Sequence, residues 1–112
     1  MPIAHCTVSP SVELFDCNLS GFTRRWAELA GTNADEMTIN FVQAEAQSGK
    51  PYAVVAQLIL PSLWSTSSVK AIQLALSNTL SETLGVSVDH IIVVTSVIES
   101  GLVVESGKVV EW

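Results

Sequence analysis

Charged side chains are scarce in this sequence: Asp, Glu, Lys and Arg make up only 14% of its 112 residues, against 48% apolar residues. A lone monomer with that balance has little charge to spread over its surface. The composition therefore predicts a homo-oligomer, with a second apolar surface buried between copies of the chain. Basic residues are the scarcest group. The five present (Arg24, Arg25, Lys50, Lys70 and Lys108) are scattered among 11 acidic ones, for a net charge of −6. No basic stripe exists, which argues against nucleic acid as a partner.

Cysteine is nearly absent too. Cys6 and Cys17 are too few for a disulfide framework, and their spacing is not that of a metal site. Cys6 stands in an apolar stretch and reads as a small buried hydrophobe. His5 and His90 have no accompanying Cys, Asp or Glu at zinc-like spacing. Neither a metal nor a cofactor is expected. Long hydrophobic runs are missing as well. The longest, YAVVAQLILP, is broken by Gln57 and falls short of the roughly 18 residues of a membrane span. The start of the chain lacks a basic segment followed by an apolar core, so the expectation is a cytoplasmic protein with no membrane partner.

What is present is a repeated order of elements. Residues 2–8 (PIAHCTV) read as a strand, closed by Ser9-Pro10. Phe15, Leu19, Phe22, Trp26 and Leu29 fall at helical steps and predict one long helix, ended by Gly31. Residues 37–42 alternate as a half-buried strand, and 47–51 (QSGKP) form a turn. Residues 52–60 are almost continuously apolar, which predicts a strand covered on both faces. Ser65–Ser68 offer N-caps for a second helix, with Val69, Ile72, Leu76, Leu80 and Leu84 on its buried side and Gly85 at its end. Residues 90–98 read as a fourth strand. Two short apolar runs around Ser106-Gly107 then predict a hairpin. Gly31, Asp35, Met37 and Ile39 recur 54 residues later as Gly85, Asp89, Ile91 and Val93.

The predicted fold is thus a single α+β domain over residues 1–112. A tandem β-α-β repeat forms a four-stranded mixed sheet with two helices on one face, plus a C-terminal hairpin. The other face of the sheet is left for another copy of the chain, and the hairpin is placed to pair with a neighbour's sheet edge. Pro2 has two readings. It is a suitable first residue for a terminal strand. If Met1 is removed, it is also a secondary amine at the N-terminus. An α-amino group ordinarily titrates near pH 8. Apolar burial lowers that value and leaves a usable general base at neutral pH.

Met-Pro followed by a strand, two β-α-β units in 112 residues and a terminal hairpin resemble the tautomerase superfamily in its longer, macrophage migration inhibitory factor-like form. The stretches GVSVDHIIVV and VIESGLVVESGKVVEW carry weaker local likeness. The resemblance implies a homotrimer with an N-terminal proline in a pocket at each subunit boundary. It also implies Pro2 as the base in keto–enol tautomerisation of a small oxo acid, and basic residues nearby. At the matching places this chain has Ser9–Leu14, Thr32 and Ile91–Val94 instead. Lys50 and Asn40 then become the candidates for contacting the substrate, and Leu60 and Val103 for the pocket wall. The alternative is a non-catalytic oligomer, a binding or structural module on the same scaffold. A third reading is a ferredoxin-like binding domain, which predicts a dimer or monomer.

Overall fold

A computed structural model describes all 112 residues. The elements run β1 (Ile3–Val8), α1 (Phe22–Ala30), β2 (Thr38–Gln43), β3 (Val54–Pro61), α2 (Thr66–Leu84), β4 (Ile91–Ile98), β5 (Val103–Glu105) and β6 (Lys108–Val110). The first four strands form one sheet in the order β2-β1-β3-β4. β1 and β2 are parallel neighbours, as are β3 and β4, and the two units meet through antiparallel β1 and β3. The sheet is mixed, as the repeat predicts. A split β-α-β unit, the mark of a ferredoxin-like domain, has another strand between its two strands; here none intervenes.

Alternation along each strand divides the sheet into two unlike faces. One carries Ala4, Cys6, Val8, Val54, Ala56, Leu58 and Leu60, all buried under α1 and α2. Trp26 is fully buried in the same core, and its indole N–H donates to the Ile72 carbonyl of α2 at 3.1 Å. Phe22 meets Trp26 and Phe41 edge-on, joining α1 to β2. On the surface, Arg25 donates from Nε (3.1 Å) and Nη2 (3.2 Å) to the Glu82 carboxylate, a clasp between the helices. That contact holds the Glu82 carboxyl below its usual range.

The opposite face has no helix. Its three central rows are Thr38–Ile3–Ile59–Ser96, Asn40–His5–Gln57–Val94 and Val42–Thr7–Val55–Ile92. None of these positions holds Asp, Glu, Lys or Arg. β3 is therefore buried on one side only within a single chain: Val55 and Ile59 stay half-open and Gln57 is exposed.

The two αβ connections repeat in detail. Gly31 and Gly85 both cap their helices in the left-handed conformation, with φ of 72° and 67°. Asn33 and Ser87 then accept from the amides of Asp35 and Asp89, opening short 3-10 turns that lead into β2 and β4. At the hairpin, Ser106 and Gly107 both have positive φ, 55° and 75°. That pair of values is what a two-residue turn between twisted strands requires. Beyond the hairpin, Trp112 fastens the chain end: its amide donates to Ser100 Oγ (2.7 Å) and its indole to Ser62 Oγ (2.9 Å).

The first helix differs from the sequence expectation. It starts at Phe22, not near Phe15, and Phe15 is 96% exposed. Two local preferences win over the apolar spacing. Asn18 Oδ1 accepts from the Ser20 amide and closes a turn. Gly21 then takes φ 75°, outside the right-handed helix. Residues 14–16 form only a 3-10 turn, and Leu14 and Leu19 pack on the core from this loop.

Urea denaturation checks this assignment. Leu76→Ala, in the centre of α2, should lose about 2–5 kcal/mol through cavity formation. Phe15→Ala should stay within about 0.5 kcal/mol of the parent.

Candidate functional site

Pro2 is buried at the head of β1, and its carbonyl accepts from the Thr38 amide at 3.0 Å. Continuing the β1–β3 register by one residue sets Pro2 beside Leu60 and Met1 beside Pro61. With Met1 in place the Pro2 nitrogen is an amide and has no basicity. Next to it lies a cavity of about 270 Å³, lined by Met1, Ile3, Asp35, Glu36, Thr38 and Glu105. Asp35 and Glu36 come from the 3-10 turn before β2, and Glu105 from the end of β5. The cavity thus contains three carboxylates and no lysine or arginine. The structure contains no group of three His, Cys, Asp or Glu side chains that could hold a metal ion.

The residues singled out from the sequence do not all converge here. Lys50 lies in the loop before β3, where its ammonium sits 5.0 Å from the centre of the Tyr52 ring. That loop leads to the Val8–Val54 end of the sheet, while Pro2 adjoins the Ile3–Ile59 end. Five residues of strand separate the two, about 17 Å. Lys50 of the same chain is therefore remote from Pro2. Asn40 is on the helix-free face of β2, two residues beyond Thr38. Leu60 adjoins Pro2 but is sealed in the core under the helices, so it lines no cavity. Val103 is half-buried at the start of the hairpin that delivers Glu105. Arg25 is engaged with Glu82, and Arg24 stands beside it on the exposed side of α1.

Sequence reasoning missed Asp35, Glu36 and Glu105. Asp35 was visible as part of the repeated loop, but the loop repeat marks a turn and says nothing of proximity to the N-terminus. Glu105 reaches the cavity only because the hairpin folds back to the head of β1.

Neither cysteine stands in this cavity. Cys6 is buried in the core, and burial pushes its thiol up to about 12. Cys17 is half-buried near the Glu13 carbonyl.

With this geometry in hand, the chain can be set beside known proteins. No protein-family model matches it, and none of the curated proteins does. Solved structures match over nearly the whole chain. A wild-type fused 4-OT solved as an asymmetric trimer aligns at TM-score 0.77 and 20% identity, covering 96% of this chain and 94% of that one. The macrophage migration inhibitory factor of Oncomelania hupensis aligns at TM-score 0.75 and 14% identity, covering 98% and 97%. This chain has the tautomerase-superfamily fold. A third structure with this fold, Pt0534 inactivated by 2-oxo-3-pentynoate, aligns at TM-score 0.74 and 12% identity, covering 96% and 94%. No helix of the chain is long and apolar enough to cross a membrane.

Thiol accessibility follows from these environments. In the native protein a thiol-reactive chromophore should modify Cys17 alone, and Cys6 should react only after denaturation. Rapid reaction of both thiols without denaturant would show that the β1 core is open.

Proposed function

We propose that this chain, once Met1 is removed, is a tautomerase-like enzyme acting on a small oxo acid as a homotrimer. Pro2 is its general base. The observation that carries the reading is the buried proline at the head of β1, beside a cavity, in a fold shared with the 4-OT, migration inhibitory factor and Pt0534 structures. The freed secondary amine takes a proton from the enol hydroxyl or from the carbon next to the carbonyl. It returns that proton to the other position. An anionic substrate and its developing enolate oxygen require a cation or hydrogen-bond donors. Within one chain the cavity offers no cation, so the contact is made by the Thr38 hydroxyl or by a donor of the adjacent copy.

The helix-free sheet face supports the homotrimer. It carries apolar and neutral polar side chains and no Asp, Glu, Lys or Arg, in a chain of net charge −6. Copies that meet through this face bring the fewest like charges together. Fused 4-OT proteins of the same fold are trimers.

The acidic cavity favours a second reading, a non-catalytic oligomer on the same scaffold. Carboxylates beside an amine favour its protonated form, which works against a base at neutral pH. The pH dependence separates the two readings. For the enzyme, tautomerisation of phenylenolpyruvate should rise from about pH 7 to about pH 9 as the amine loses its proton. Glu105→Gln should move that rise to lower pH, and Pro2→Ala should abolish it. Mass spectrometry of protein isolated from cells should give a chain starting at Pro2. Retention of Met1 together with no turnover would favour the non-catalytic oligomer, and full activity in Pro2→Ala would remove the proline mechanism.

A further inference from the structure

Charge around Pro2 is one-sided. Asp35, Glu36 and Glu105 line the cavity at the head of β1, beside Ile3 and Thr38. Asp35 and Glu36 are adjacent in the turn before β2, and Glu105 arrives from β5, so the negative charge comes from two separate elements. None of the three is neutralised by a partner. The ion pairs of the chain both belong to Arg25, at 3.4 Å from Glu28 and 3.1 Å from Glu82. Lys108 stands opposite Glu105 in the hairpin register, yet it makes no ion pair and is not a wall of the cavity. Among the lining side chains the Thr38 hydroxyl is the one hydrogen-bond donor.

We infer that this cavity selects its substrate by charge. It takes an oxo acid with a single carboxylate, whose far end is uncharged or cationic, and it turns away dicarboxylates. The inference rests on the tautomerase reading of Pro2. Met1 is one wall of the cavity, so its removal opens the Pro2 nitrogen to the same space. The amine takes a proton from the carbon next to the carbonyl. That C–H bond breaks, its electron pair forms a carbon–carbon double bond, and the carbonyl π pair moves onto oxygen. Return of a proton to carbon reverses each change. The enolate oxygen and one carboxylate already compete for the Thr38 hydroxyl and for any donor beside it. A second carboxylate would have to lie among Asp35, Glu36 and Glu105. At about 270 Å³ the cavity is small for a ligand site, which leaves a bound substrate little room to turn its far end away from them. Repulsion between unit charges a few ångströms apart should hold the kcat/KM of a dicarboxylate about tenfold or more below that of its uncharged counterpart. A cationic far end is attracted by the same three groups.

The test is proton NMR in heavy water, following exchange of the protons next to the carbonyl for deuterium. The protein is the whole chain, shown by mass spectrometry to start at Pro2. The probes are α-ketoglutarate, its γ-methyl ester and α-keto-δ-guanidinovalerate, which share a five-carbon oxo acid and differ in charge at the far end. At about 0.01 M salt the ester and the guanidino acid should exceed α-ketoglutarate about tenfold or more in kcat/KM, and about 1 M salt should narrow that gap. Glu36→Gln and Glu105→Gln should each narrow it about threefold. Each value is a ratio of two substrates on one protein, so any effect on Pro2 itself cancels. Circular dichroism checks that the variants are folded, and either variant alone suffices. Exchange of α-ketoglutarate as fast as its ester at low salt overturns the charge selection while leaving the tautomerase standing. So does a gap that high salt and the folded glutamine variants leave unchanged, because it then comes from shape. Exchange of none of the three probes overturns the tautomerase reading itself, and this inference with it.

Discussion

The antiparallel pairing of β1 with β3 is the contact on which the rest of this structure depends. Each β-α-β unit supplies a parallel strand pair and one helix, and neither could bury its apolar face alone. Joining them through β1 and β3 sets Ala4, Cys6 and Val8 beside Leu58, Ala56 and Val54 in one continuous surface. The small residues at the centre of that surface leave room for Trp26 and Leu76, both fully buried. The same pairing fixes where the N-terminus lies, since an antiparallel partner sets the start of β1 against the end of β3. Pro2 meets Leu60 for this reason, and the hairpin that follows β4 has only a short distance to cover.

Much of this was legible in the sequence because it is set by local chemistry. Helix-ending glycines and the Ser-Gly hairpin turn act within a few residues. The apolar pattern of α2 continues without interruption from Val69 to Leu84. The first helix was harder. Phe15 and Leu19 keep the helical spacing, yet Asn18 and Gly21 bend the chain between them. Spacing measures which residues could share a face, and a turn can cancel it without changing a single apolar position.

The site was less legible because it is assembled from the ends of elements far apart in the chain. Lys50 suggested itself as the remaining cation, in the loop before β3, but strand direction places it at the other end of the sheet from Pro2. Leu60 does stand beside Pro2, though on the sealed face. Asp35, Glu36 and Glu105 arrive from two loops, and only the closed sheet brings them together. Charge is thus unevenly used. It gathers at the N-terminal end of β1, against Ile3 and Thr38, and is withheld from the three central rows of the helix-free face, so an acidic edge adjoins an uncharged surface.

Trp112 ties the hairpin's far end to Ser62 and Ser100. Ser62 follows Pro61, the residue that stands opposite Met1. Trp112 therefore acts as a rivet near Met1. A three-residue ribbon such as β5–β6 has little rigidity of its own, so the angle at which it presents Glu105 is inherited from that rivet. Residues more than 100 positions apart in sequence are thus mechanically one structure.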